Sequence, residues 1–167
     1  MASANTFERK ELGRLLDHDN FDTRDKFRQL FYKNLSLMTP RYNLSLDDHR
    51  ELAYQRLKTV CQADIVSIQD FGRNPLNIFT AHEMLGLTDG SLATKFTVHM
   101  NLFGGSMYAL TTDRHKDILK GIDRMDYTGC FCLTELGYGN NAVEMETTAT
   151  YDPATDELIV HSPTPLA

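Results

Sequence analysis

Thr134, Glu135, Gly137, Gly139 and Asn140 stand together in the segment CFCLTELGYGNN, residues 130–141, and no other segment of the chain combines as many groups able to do chemistry. A threonine hydroxyl and an asparagine carboxamide each donate and accept hydrogen bonds. Glycines permit dihedrals that turn several backbone N–H groups toward one point. Such a loop can cradle a phosphate or hydrogen-bond the polar edge of a ring. On spacing alone, T-E-x-G-x-G reads first as a structural turn behind a strand, and it is not the G-x-G-x-x-G that opens a helix in dinucleotide-binding folds.

The remaining candidates carry less. His82-Glu83 and His99 fall in expected helices without an H-E-x-x-H spacing, so no metal site is expected. Gly104 and Gly105 allow a ligand or a second backbone to approach closely, and close helix packing explains them equally well. Cys61, Cys130 and Cys132 form no even disulfide framework, which suits a reducing compartment. A lone C-x-C is poor metal spacing, and on a strand Cys130 and Cys132 would share one face as small core residues. Arg24, Lys26, Arg28 and Lys33, diluted by Asp22 and Asp25, read as a solvated helix face.

The elements that must position these residues are mostly helical. Asn5 and Glu8 have capping-box spacing ahead of a first helix, and Asp22 is placed to cap a second that carries Phe27, Leu30 and Phe31 on one face. Pro40 breaks the pattern. Ser45 and Asp48 open the longest helix, with Leu52, Leu57 and Val60 in its inner stripe. Asn74-Pro75 starts another, Asp89 or Ser91 the next, and Thr112 caps a last one. The segment SLATKFTVHMNLF is apolar or small nearly all round, as in a helix buried within a bundle. After Asp126 the texture becomes strand-like: CFCLT, the glycine loop, then METTATY and LIVHS as a hairpin around DPATDE. The expected division is a helical domain over 1–126 and the start of a β-domain over 127–167.

Composition is that of a soluble domain: 167 residues, 41% hydrophobic and 24% charged. The net charge of −6 argues against nucleic acid as a partner. No apolar run reaches a membrane span, no secretory signal opens the chain, and the terminal TPLA is not a peroxisomal address, so an intracellular protein is expected. Two or three strands do not close a β-domain, so the chain reads as the front portion of something larger.

The stretch GCFCLTELGYGNNAVEMETTATYDPATDELIVHSP resembles the junction between the N-terminal helical domain and the middle β-domain of the acyl-CoA oxidases, within the acyl-CoA dehydrogenase superfamily. HDNFDTRDKFRQLFYKN, AHEMLGL and NLFGGSMYALTTDRHKDILKGID resemble the oxidase N-terminal domain. The implied fold is mainly α with a short β segment: an N-terminal helical bundle followed by the first strands of a middle β-barrel domain. The implied activity is FAD-dependent oxidation of a fatty acyl-CoA to the trans-2-enoyl-CoA with O2 reduced to H2O2, in a peroxisomal homodimer. The resemblance sets Thr134 beside the flavin, with Glu135, Gly137, Gly139 and Asn140 as cofactor-loop neighbours, and Gly104 and Gly105 along the acyl tunnel. Asn140 stands where the dehydrogenases have a serine that contacts the FAD pyrophosphate. The family's catalytic glutamate belongs to a C-terminal helical domain, so no catalytic residue is assigned here and this chain by itself is expected to be inactive. The competing readings are a non-catalytic helical module that pairs with a full-length subunit, and a dehydrogenase that passes electrons to a flavoprotein.

Overall fold

A computed structural model describes residues 8–167, in two compact units that meet between Cys130 and Phe131. The expected Asn5 cap lies outside the described residues. The first unit is helical. It comprises α1 (Arg9–Asp17), α2 (Phe21–Lys33), α3 (Leu35–Met38), α4 (Leu46–Gln62), α5 (Asp70–Arg73), α6 (Pro75–Gly86), α7 (Gly90–Phe96), α8 (Gly105–Leu110) and α9 (Lys116–Asp123). A π-helical stretch, Thr97–Gly104, joins α7 to α8, and a single 3₁₀ turn, Asp113–His115, leads into α9.

The helix starts follow local chemistry. Ser45 Oγ accepts the Asp48 N–H at 3.1 Å and donates to the Asp48 carboxylate at 2.7 Å, opening α4, the longest helix described. Pro75 is the first residue of α6, and the Asp89 carboxylate caps α7 by accepting the Ser91 N–H at 2.9 Å. Asp22 is not a cap: Asn20 occupies that place in a left-handed conformation, and Asp22 lies in the first turn, where a negative charge suits the helix dipole.

Phe27, Leu57, Val60, Leu85, Leu92, Phe96, Met100 and Ile122 form the heart of the core, drawn from α2, α4, α6, α7, the π stretch and α9. Two arginines are buried with them. Arg24 was expected on a solvated face, yet it is 7% exposed, because Asp19 and Glu83 at 3.2 and 2.6 Å satisfy its guanidinium. Arg56 donates to Leu37 O, Thr39 O and the Asp89 carboxylate at 2.8, 2.7 and 2.6 Å, tying the end of α3 to the start of α7. The segment expected to be buried all round shows two sides: Leu92, Phe96, His99 and Met100 face inward, while Ser91, Thr94 and Leu102 are exposed. From Thr97 its turns widen, and the Gly105 N–H is shared among the carbonyls of Met100, Asn101 and Leu102.

The second unit contains one antiparallel hairpin, β1 (Thr148–Asp152) and β2 (Glu157–His161), in the register Thr150↔Ile159. The Asp152 carboxylate accepts the Ala154 N–H at 2.9 Å and Asp156 takes a φ of 57°, which closes the turn. The expected strand over CFCLT is not formed. An extended segment becomes a strand only within a ladder, and the ladder found among the described residues is that of β1 and β2, which 130–134 does not join. Cys130 and Cys132 are therefore exposed, not core residues, whereas Cys61 is buried.

Candidate functional site

The glycine loop belongs to the second unit, and each of its residues has a distinct place. Thr134 is exposed, and its hydroxyl donates to Asn140 Oδ1 at 3.2 Å across the loop. Glu135 is 5% exposed. Its carboxylate accepts the N–H groups of Glu146 and Thr147 at 2.8 and 2.9 Å. Its backbone bridges to Gly139, whose φ of +57° needs a glycine to turn the chain without strain. Gly137 was expected to take an unusual dihedral as well, but it lies outside the positive-φ region; its use is close approach. A Cβ there would lie 2.9 Å from Leu166 Cβ, and the Gly137 N–H donates to Leu166 O at 2.9 Å.

Several amides in and after the loop are therefore engaged internally. Gly137, Tyr138, Gly139, Asn141 and Ala142 donate to carbonyls of their own unit, while the N–H groups of Leu136 and Asn140 meet no acceptor among the described residues. The Thr134 and Asn140 side chains lie exposed on the loop, joined to each other by the hydroxyl's bond to the carboxamide oxygen.

Electrostatics lock the same geometry. The Glu146 and Thr147 donors hold the Glu135 carboxyl below its usual range, against a smaller opposing effect of desolvation. The Glu146 carboxylate accepts the hydroxyls of Thr164 and Tyr138 at 2.5 and 2.7 Å. Those two bonds hold its pKa down, Thr164 the more strongly, and the carboxylate pushes the Tyr138 phenol up. Sequence reasoning did not single out Tyr138, Glu146 or Thr164. The one available signal was that the run Thr134–Thr150 carries three glutamates and no basic residue, so its acids had to find neutral donors.

Gly104 and Gly105 lie in the helical unit against protein side chains. A Cβ on Gly104 would come within 2.6 Å of Ile68 Cγ2, and one on Gly105 would rest 3.5 Å from the Phe71 ring. A mainly apolar cleft of about 320 Å³ opens elsewhere in this unit, between Tyr54, Leu57, Val98, His99 and Met125, with Lys95 also lining it. His99 donates from Nε2 to Ile122 O at 2.9 Å, and His82 Nε2 meets the Asn101 carboxamide at 2.7 Å. Among the described residues no three His, Cys, Asp or Glu side chains are gathered to hold a metal. Burial, with Asp123 nearby, pushes the Cys61 thiol up to about 12, which leaves it no thiolate chemistry. No described helix is long and apolar enough to cross a membrane.

Comparison with known proteins bears on most of the chain. No protein-family model matches it. It is 42% identical over 125 residues to human peroxisomal acyl-coenzyme A oxidase 3, covering 75% of this chain and 18% of the human protein. It is 38% identical over 146 residues to peroxisomal acyl-coenzyme A oxidase 2 of Arabidopsis thaliana, covering 86% of this chain and 21% of that protein. Among solved structures, acyl-CoA oxidase 1 of Yarrowia lipolytica superposes with a TM-score of 0.62 at 25% identity, over 87% of this chain and 23% of that one. Acyl-CoA oxidase 3 of the same yeast shares the fold with a TM-score of 0.67 at 24% identity, over 96% of this chain and 23% of that one. The chain thus spans about a fifth of the curated relatives it matches.

Proposed function

The chain belongs with the acyl-CoA oxidases along the part of their length that it spans, and from that premise we propose that it supplies the helical unit and the cofactor-facing loop of an FAD-dependent acyl-CoA oxidase. The substrate is a fatty acyl-CoA, which loses two hydrogens to become the trans-2-enoyl-CoA while O2 becomes H2O2. The compartment is the peroxisome, the working form a homodimer. Kinship in sequence is the observation that carries this reading, and the loop geometry supports the cofactor's place within it.

The outward-facing groups suit a flavin. The Asn140 side-chain NH2 and the N–H groups of Leu136 and Asn140, which meet no acceptor among the described residues, are neutral donors on one loop. The Thr134 hydroxyl, which donates to Asn140 Oδ1, offers its lone pairs as an acceptor. Nothing lies within 4 Å of a Cβ built on Gly139, which leaves room for a planar group. FAD, when bound, supplies the two-electron acceptor chemistry that no amino-acid side chain provides. Thr134 and Asn140 are the residues that would hold its polar edge, while Glu135, Gly137 and Gly139 shape the backbone that presents them. Gly104 and Gly105 are assigned to the helix packing that walls the acyl path.

Neither Glu135 nor Glu146 suits the role of general base, because each is already bonded to donors that stabilise its ionised form. The carboxylate that takes the substrate's α-proton is assigned to residues outside these 167.

Thr134→Val tests the reading in the protein that carries this sequence. It preserves shape and β-branching while removing one hydroxyl, so FAD binding should weaken about 2- to 12-fold, the value of one net hydrogen bond. A folded variant with unchanged FAD affinity and flavin absorption would return the loop to a structural turn. Acyl-CoA-dependent release of peroxide in air separates an oxidase from a dehydrogenase with a flavoprotein acceptor.

A further inference from the structure

We infer that Glu135 and Glu146 are positioning residues, a reciprocal clasp that presets the 134–140 loop before any ligand arrives; the inference rests on the reading of that loop as flavin-facing. Each carboxylate holds the stretch of chain that carries the other. Glu135 accepts the backbone N–H groups of Glu146 and Thr147 at 2.8 and 2.9 Å. Glu146, placed by that contact, accepts the Tyr138 hydroxyl at 2.7 Å and the Thr164 hydroxyl at 2.5 Å. Tyr138 stands between Gly137 and Gly139, so its ring tethers the tip of the loop.

This is more restraint than a turn requires. Gly139 and its N–H bond to Glu135 O at 2.8 Å already close the chain. The side-chain bonds add constraints spanning 8 to 18 residues of sequence. They also bring two carboxylates close enough to repel each other, with four neutral donors and, among the described residues, no cation paired with either. The arrangement keeps Thr134 and Asn140 on the flanks of a braced segment, so that a ligand need only exchange their mutual hydrogen bond and the backbone between them needs no reordering. A preorganised loop loses less conformational freedom on binding and binds more tightly for the same contacts.

Hydrogen exchange on the chain, together with FAD titration of the protein carrying this sequence, tests the clasp. Tyr138→Phe and Glu146→Gln should each speed exchange at the Gly137, Tyr138 and Gly139 amides about 2- to 12-fold and weaken FAD binding by a similar factor. Glu144→Gln makes the same charge change at an exposed side chain and should alter neither. If Glu146→Gln does not fold, Tyr138→Phe, which removes a single phenolic oxygen, carries the comparison. Unchanged exchange in folded Tyr138→Phe overturns the clasp. Faster exchange with unchanged FAD affinity overturns the positioning role. In that case a loss of affinity in Thr134→Val would leave the flavin-facing reading intact, and no loss there either would remove both.

Discussion

Glu135 is a nearly buried carboxylate whose partners are two backbone N–H groups, so its charge is part of the loop's architecture. Its folded pKa lies below the ordinary 4.5, and the sign of the pH dependence follows. The stability it contributes is fully present above 4.5 and is lost as pH falls through the lower folded value. Glu146 is shifted in the same direction. The amide resonances of Glu146 and Thr147 should therefore hold steady from neutral pH down to about 4.5 and move together below it. A titration centred above 4.5 would show that the two amides do not hold the carboxylate. Arg24 and Arg56 illustrate the same rule with opposite charge. Position in sequence suggested solvent for Arg24, but acceptors at hydrogen-bond distance let a guanidinium stay inside.

At the scale of elements, the join between α7 and α8 is set by two neighbouring glycines with different surroundings. Gly104 faces the branched methyl of Ile68, itself fully buried, so an added Cβ overpacks the site at 2.6 Å. Gly105 faces the Phe71 ring at 3.5 Å, an ordinary contact. Replacing glycine by alanine within a helix gains about 0.5–1 kcal/mol of propensity, while overpacking costs about 1–3 kcal/mol. Gly105→Ala should therefore raise the melting temperature slightly and Gly104→Ala should lower it. Thermal unfolding followed by circular dichroism would read both, and a stabilised Gly104→Ala would mean that Ile68 yields easily.

At the scale of the whole molecule, the residues that form the hydrophobic core all precede Cys130. The hairpin, by contrast, exposes both faces, including Tyr151, Leu158, Ile159 and Val160. A polypeptide ending at Cys130 should keep its helical signal and a cooperative melt. Loss of that cooperativity would mean that the second unit supports the first. The 167-residue chain by itself should produce no acyl-CoA-dependent peroxide, since a positioned general base contributes about 10²–10⁴-fold and the acids of the loop are committed to other bonds. Steady peroxide from that chain would require a base among these residues.

Much of this architecture was legible in the chain itself. Capping residues such as Ser45 and Asp89, the proline at the start of α6 and the β-branched run before DPATDE act on backbone within a few residues, so local chemistry determined those helix starts and the hairpin. The loop was legible as a place of interest for the same reason: glycines and small polar side chains declare their conformational freedom locally. Its wiring was not. Whether CFCLT becomes a strand depends on a partner far away in sequence, and whether Arg24 is buried depends on Glu83, 59 residues distant. The clasp through Tyr138, Glu146 and Thr164 likewise joins groups up to 26 residues apart in number, which no spacing rule encodes. Types and spacings thus determined the helix starts and the hairpin, while tertiary contact decided whether CFCLT joins a sheet and which polar groups are satisfied within the protein.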